Sequence, residues 1–314
     1  MFFTGPLFYF FFNLRLFFKL LFKKADVLIA NDLDTLLPNY LVSKLKSIPL
    51  IYDSHELFCE VPELLSNPLK RKIWLWLEKT IVPKLKNCIT VNESIAKIFE
   101  DKYKTKFEVV RNISSTNETI VVKSREQLNL PRDKKIILLQ GAGINIDRGA
   151  EELMDAMEFV DNALLLIIGS GDVWSILEEK LKSKNLKGKI ILINKLPKQE
   201  LLHYTFNADI GLSIDKNTNL NYYYSLPNKV FDYLQAGLPI LASRLPEIEK
   251  TINHYKVGDF IDNHKPESIA FKLNELLNAP QLLEEYKRNC LTAAKELSWV
   301  NEKQKLIKMF TNFK

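Results

Sequence analysis

What most constrains this chain is an alternation that runs through it twice. Short, apolar, β-rich runs alternate with stretches whose apolar residues recur at helical spacing, over residues 27–110 and again over residues 135–278. A strand apolar on both sides must be covered on both sides, and a helix after each strand brings the chain back to lay down a parallel neighbour. The expected class is therefore α/β, with doubly wound parallel sheets. In the first series, strands are expected at 27–30, 50–53, 88–91 and 108–110, with helices at 35–46, 68–86 and 94–104. In the second, strands are expected at 135–140, 163–168, 189–193, 210–214 and 239–242, with another near 257–261. Its helices fall at 149–159, 173–184, 199–206, 228–235 and 266–278, and the tail from 281 to 314 reads as helical throughout.

Residues 112–132 are dominated by polar side chains and separate the two series. This places a first domain over residues 1–122 and a second over 123–314, with the last helix expected to pack back on the first domain. A length of 314 residues suits two such domains. Charged residues at 26% and hydrophobic residues at 46% exclude a disordered chain and a multi-span membrane protein. No basic stripe with interleaved aromatics suggests a nucleic-acid partner. Cys59, Cys88 and Cys290 are odd in number and far apart, which fits a reducing cytoplasm and no disulfide framework. No CxxC pair or Cys/His cluster suggests zinc.

Composition is skewed along the chain. Nine of the 19 phenylalanines lie in the first 22 residues, and nine of the 10 glycines lie at Gly141 or later. Residues 7–22 read LFYFFFNLRLFFKLLF, followed by Lys23 and Lys24, with no acid before Asp26. A signal peptide would place its cations before the apolar run and end in small residues, and neither holds here. Asn13, Arg15 and Lys19 interrupt a run that would need ~20 apolar residues to span a bilayer. Arg15, Lys19 and Lys23 recur every four residues and form one polar stripe on a helix. Two readings fit that stripe. Residues 7–23 lie in a membrane interface, making peripheral contact with anionic lipid, or the helix packs in its own domain with the stripe toward water.

Two stretches carry candidate chemistry. In LLQGAGINIDRGAEELMDAM, from Leu138, a strand ends in Gly141-Ala-Gly143 and a helix opens near Gly149. Glycine lets backbone N–H groups approach a ligand, and a helix start favours an anion. A dipole contributes only ~0.3–1 kcal/mol per charge, so a pyrophosphate site calls for a cation, which Arg148 can supply. The spacing is not GxGxxG and no acid follows at the dinucleotide position, which argues against NAD. An ordinary strand–helix turn is the bland reading. In SLPNKVFDYLQAGLPILAS, from Ser225, Pro227 and Asn228 mark a helix start. Lys229 in the first turn opposes the dipole unless an anion sits there. Asp232 lies three residues on, so the pair can hold a phosphate and a ribose diol, or form an exposed i,i+3 ion pair.

On these residues the second half resembles the nucleotide-binding domain of GT-B glycosyltransferases of the large retaining family 4, the "group 1" transferases. The resemblance runs from QGAGINIDRGAEEL through LLIIGSGD and NADIGLS to SLPNKVFDYLQAGLPILAS. It implies two doubly wound Rossmann-type domains facing a central cleft. It also implies that Arg148, with Lys229, contacts the donor diphosphate and that Asp232 holds the nucleotide ribose. Gly141, Gly143, Gly171, Ser225 and Asn228 then complete the donor-binding set. Two positions depart from the pattern. Ala142 and Gly143 occupy the stretch of a usual arginine, and Tyr224 stands where the family has an upstream glutamate.

ADVLIANDLDTLLPNYLVSKLKSIPLIYDSHELF, from Ala25, resembles the family's acceptor domain from a middle strand onward. His55 matches the cleft histidine, which implies contact with the transferred sugar or support of the transition state. Glu56 and Asp32 are placed on the acceptor side. The family has a first strand and a glycine-bearing loop before a helix like that over 7–22, so the first domain is expected to lack its first strands. Asp32-Leu-Asp34 has the DxD form that holds a metal in another glycosyltransferase fold. Because the nucleotide features lie a hundred residues later, Asp32 and Asp34 are read as cleft-edge or helix-capping residues. No metal and no other cofactor is expected.

The resemblance implies a retaining transferase that moves a sugar from a UDP- or GDP-sugar to a glycan or lipid-linked acceptor. Cell-surface polysaccharide or glycoconjugate synthesis, in the cytoplasm or at the inner membrane face, is the implied setting. The alternative is a catalytically inactive, nucleotide-binding or membrane-docked relative. A sugar-nucleotide epimerase would need carboxylates facing the sugar, which the sequence does not single out.

Overall fold

The computed structural model describes residues 5–115, 121–183, 186, 188–311 and 313. In chain order the first elements are α1 (Pro6–Phe22), β1 (Leu28–Asn31), α2 (Leu33–Lys46), β2 (Leu50–Ser54), α3 (Pro62–Leu65), α4 (Pro68–Ile81), β3 (Asn87–Thr90), α5 (Glu93–Tyr103) and β4 (Glu108–Val109). Then come β5 (Lys135–Gly141), α6 (Ala150–Ala156), β6 (Ala163–Gly169), α7 (Trp174–Ser183), β7 (Ile190–Asn194), α8 (Lys198–Asn207) and β8 (Ile210–Ser213). The chain ends with α9 (Leu220–Tyr223), α10 (Asn228–Ala236), β9 (Ile240–Ala242), α11 (Pro246–Tyr255), β10 (Gly258–Phe260), α12 (Pro266–Leu277), α13 (Pro280–Glu296) and α14 (Trp299–Thr311).

These elements form two compact units. One comprises Met1–Asn112 with Asn219–Ser225 and Glu302–Lys314, and the other Ile113–Thr218 with Leu226–Asn301. In the first unit the sheet order is β1-β2-β3-β4, all parallel, each strand laid beside its predecessor. Successive residues of β2 serve opposite faces. Tyr52 packs with Leu33, Leu36, Phe99 and Phe107, whereas Ile51 packs with Ile89 and Met309 of α14. Helix α14 is further tied down by Glu302, which accepts the Arg111 N–H at 2.9 Å and its guanidinium at 3.3 Å.

In the second unit six parallel strands run in the order β10-β9-β8-β5-β6-β7. The first strand, β5, lies inside. The chain adds β6 and β7 on one side, then returns to add β8, β9 and β10 on the other. The reversal between β5 and β8 is a topological switch point, and ligands of such sheets sit beyond the carboxyl ends of the strands there. Strands β5, β6 and β8 are buried almost throughout, as their apolar composition demands.

Three local expectations need correction. The helix expected over 68–86 ends at Ile81 and passes into a 3-10 turn, Val82–Lys84, because Pro83 cannot donate a helical hydrogen bond. The tail is two helices. Asn301 donates its side-chain amide to the carbonyls of Lys295 (3.0 Å) and Glu296 (2.7 Å), satisfying the end of α13. Helix α11 was not anticipated, although Pro246 at its first position and buried Ile248 and Ile252 one turn apart mark it. Cys59, Cys88 and Cys290 are buried free thiols.

Candidate functional site

The loop from Gly141 to Gly149 leaves β5 at the switch point. It is pinned to the turn after β6: Ile144 N–H donates to the Ser170 carbonyl at 2.7 Å and Ile146 N–H to the Asp172 carboxylate at 2.8 Å. Arg148 stands between two residues with left-handed backbone, Asp147 (φ 65°) and Gly149 (φ 77°). A Cβ on Gly149 would lie 2.6 Å from the Ile214 carbonyl oxygen, so only glycine lets this loop close on the end of β8. That approach brings the Arg148 guanidinium to the Asp215 carboxylate at 3.1 Å. Asp215 is fully buried.

Asp215 also faces Lys229, whose ammonium lies 3.6 Å away. Helix α10 is set against the sheet by Tyr233, whose hydroxyl reaches the carbonyls of Leu138 (3.3 Å) and Leu212 (3.2 Å) at the β5–β8 junction. One turn earlier, Lys229 is therefore delivered to the carboxyl end of β8. Burial pulls its pKa down, and Asp215 opposes that shift. The two cations the sequence singled out thus converge on one buried carboxylate, which offsets only part of their charge.

Asp232 does not pair with Lys229, so the exposed i,i+3 ion pair is not formed. Its carboxylate accepts from Lys198 at the start of α8 (3.0 Å) and from the Gln140 amide (3.2 Å). Gln140 in turn accepts from the Thr205 hydroxyl at 2.8 Å. Burial raises the Asp232 pKa, against the lowering effect of Lys198. Gln140 immediately precedes Gly141, so Asp232 is fixed beside the glycine turn.

The remaining donor-side residues divide. A Cβ at Gly141 or Gly143 would meet nothing closer than 3.9 and 3.4 Å, so the fold itself does not demand glycine there. A Cβ at Gly171 would overlap the Ile144 carbonyl, so packing against the glycine loop accounts for that residue. Asn228 is the first residue of α10 and exposed, with Pro227 rather than Asn228 at the cap position. Ser225 belongs to the first unit, where its hydroxyl donates to the Tyr222 carbonyl at 2.9 Å. Tyr224 packs against the first unit's core, and its carbonyl accepts from Asn92 at 2.8 Å.

In the first unit, His55 follows β2 and Asp32 follows β1, adjacent strands ending side by side. Both imidazole nitrogens meet carboxylates: Nδ1 lies 3.5 Å from Asp32 and Nε2 3.2 Å from Asp53. Asp32 also accepts the His55 backbone N–H at 2.8 Å. Hydrogen bonds to Asp32 and then Asp53 push the His55 pKa up to about 10, despite partial burial. The imidazolium form of His55 is thereby favoured at neutral pH, with a carboxylate facing each ring nitrogen. Asp32 occupies the cap position of α2, yet its side chain makes no cap bond. Its backbone (φ 58°, ψ 171°) lies where a non-glycine residue costs ~1–3 kcal/mol. The capping expectation for Asp32 is thus replaced by an orienting contact with His55. Asp34, in the first turn of α2, is held above the usual carboxylate range by burial and by Asp32. Glu56 accepts from the Asn221 amide at 2.9 Å, and Asn221 in turn accepts the Leu57 N–H at 3.0 Å.

Sequence reasoning missed Asp215, Lys198, Gln140, Asp53 and His264. The His264 Nε2 lies 3.0 Å from the Ile214 carbonyl and 3.1 Å from the Ser243 hydroxyl, at the carboxyl ends of β8 and β9. Position just past a strand end was the available signal for Asp215, and an acid in the last residues of an apolar strand was the signal for Asp53. Nothing in the sequence signalled Gln140, which reads as a strand residue.

Residues 122–295 match the family model described as "Glycosyl transferases group 1". A chitobiosyldiphosphodolichol beta-mannosyltransferase of Debaryomyces hansenii is 22% identical over 234 residues, 68% of this chain and 48% of the relative. A UDP-glycosyltransferase of Arabidopsis thaliana, TURAN, is 25% identical over 67% of this chain and 43% of its own length. The chain thus spans about half the length of the curated relatives it matches. Among solved structures, the sucrose-phosphate synthase of Thermosynechococcus elongatus superposes with a TM-score of 0.76 at 17% identity, covering 91% of this chain and 73% of that one. Anabaena HepE, solved in complex with UDP, gives 0.75 at 13% identity, covering 96% and 82%.

Proposed function

Since the chain belongs to the glycosyl transferases group 1 family and carries the two Rossmann-like sheets of GT-B glycosyltransferases, we propose that it moves a sugar from a nucleotide diphosphate sugar to a glycan or lipid-linked acceptor, with retention of configuration. The observation that carries this reading is the convergence of Arg148 and Lys229 on Asp215 at the switch point. A diphosphate is the ligand whose charge suits two cations already partly neutralised by one carboxylate. As the bond to the sugar breaks, negative charge grows on the diphosphate, and fixed cations stabilise it without reorganisation.

Each remaining group has one task in this proposal. Asp232 accepts hydrogen bonds from the ribose hydroxyls, with Lys198 and Gln140 holding its carboxylate in place. Gly141 and Gly143, where no side chain is demanded, leave room for the phosphates against the backbone. His55 is protonated and both its ring nitrogens face carboxylates, so it acts on the transferred sugar through its positive charge, not as a base. Arg148 and Lys229 take the electrostatic part that a metal would otherwise play. HepE in complex with UDP supports a UDP-sugar as the donor. A relative named for a dolichol-linked acceptor supports a lipid-linked one. A glycoconjugate-building role at the cytoplasmic membrane face follows from those choices.

Isothermal calorimetry with UDP and GDP tests the site. Arg148→Ala and Asp232→Ala are expected to weaken binding at least tenfold, and unchanged affinity in both would refute the assignment. NMR of the product anomer tests retention. The Tyr224 and Ala142 departures favour a second reading, a relative that binds nucleotide without turnover. Tight UDP binding with no hydrolysis or transfer across a panel of UDP- and GDP-sugars would select it.

A further inference from the structure

Helix α1 has two faces. Tyr9, Phe17, Leu20 and Leu21 turn inward, toward Trp74 or the first unit's core. Phe10, Leu14, Phe18 and Phe22 lie on another side and are exposed, Phe22 by 82% and Phe10 by 61%. The helix thus packs in its own unit, with Arg15 and Lys19 exposed, and still presents an aromatic row. Helix α4 is its neighbour, since the Tyr9 ring meets the Trp74 ring edge-on at 5.2 Å. That helix also leaves a row uncovered, Leu69, Ile73 and Trp76, at spacings of four and three.

Charge decides what such rows can meet. Arg15 and Lys19 on α1, and Lys70, Lys72 and Lys79 on α4, are the exposed charges of the two helices, all positive. The one acid on either helix, Glu78, is buried and paired with Lys102 at 3.1 Å. A second copy of this surface would bring cations against cations. An anionic lipid surface instead offers phosphates for the cations and an apolar boundary for the aromatics. Among the described residues no helix is long and apolar enough to cross a membrane.

We propose that α1 and α4 together form a docking surface for an anionic lipid bilayer, lying on it without spanning it. The phenylalanines and Trp76 enter the headgroup boundary, and Arg15, Lys19, Lys70 and Lys72 meet lipid phosphates. Binding is separable from sugar transfer, because it uses no residue of the nucleotide site.

Cosedimentation with vesicles tests it, comparing phosphatidylcholine alone with equal parts of phosphatidylcholine and phosphatidylglycerol. The protein is expected to pellet with the mixed vesicles, to remain in solution with phosphatidylcholine alone, and to be released by salt. Arg15→Ala with Lys19→Ala is expected to reduce partitioning about 30-fold, two cations at ~1 kcal/mol each. Phe10→Ser with Phe18→Ser on α1, and Leu69→Ser with Trp76→Ser on α4, are each expected to reduce it further than the charge pair does. All these positions are exposed, so the variants keep the fold, and an unchanged circular dichroism spectrum and unfolding midpoint are the control that they do. Equal binding to both vesicle types, or no binding to either, overturns the proposal. So does a wild-type dimer in sedimentation equilibrium that the serine variants dissociate.

Discussion

At the scale of single residues, the site is governed by carboxylates that hold cations. The His55 pKa is pushed up from 6.5 to about 10, because a carboxylate faces each ring nitrogen. The imidazolium's contribution to stability is therefore complete below pH 6.5 and is lost as pH rises toward 10. An NMR titration should find His55 protonated through pH 8. In Asp53→Asn its midpoint should fall toward the ordinary value, and an unshifted midpoint would remove Asp53 from the account. Asp215 is the opposite case, a buried acid between two cations. Asp215→Ala leaves Arg148 and Lys229 facing each other without a counter-charge and should cost about 3–5 kcal/mol in denaturant unfolding. Asp232 pays for its burial with a raised pKa, so its ionised form is costly and that part of the stability falls as pH rises through the raised value. Asp232→Asn should leave the thermal midpoint unchanged or higher while UDP affinity drops. A fall in both would mean the carboxylate is structural.

At the scale of elements, the strands were legible because a parallel strand buried on both faces has to be a short apolar run. Helix ends were less so. Pro83 ended α4 earlier than periodicity suggested, and the side chain of Asn301 divided a tail with no helix-breaking residue in it. The glycines sort by what surrounds them. Gly149 and Gly171 are required by close backbone approach, whereas Gly141 and Gly143 have room for a side chain. Gly171→Ala should therefore destabilise the fold by about 1–3 kcal/mol, since the backbone it meets cannot yield. Gly143→Ala should leave stability within about 0.5 kcal/mol of wild type and weaken UDP binding instead. Calorimetric unfolding alongside UDP titration separates the two. Equal loss of stability in both variants would contradict the packing distinction.

At the scale of the molecule, the chain contributes to two units in a way its order conceals. Residues Asn219–Ser225 and Glu302–Lys314 leave the second series and belong to the first unit. If the nucleotide binds only the folded second unit, UDP at a hundred times its Kd should stabilise it by ~2.7 kcal/mol. Differential scanning fluorimetry should show that as a raised midpoint in wild type and a clearly smaller rise in Arg148→Ala at the same UDP concentration. The sequence by itself determined the α/β class, the two series, the strand positions and the candidate cations, because apolar periodicity and strand–turn–helix signals are local. Tertiary structure alone decided that Arg148 and Lys229 share Asp215, that Asp232 turns to Lys198 and Gln140, and that His55 is clamped by Asp32 and Asp53. Apart from Asp53, two residues before His55, those partners come from different strands and the helices that follow them. They meet only because parallel pairing brings strand ends together, and no spacing along a single chain encodes which ends become neighbours.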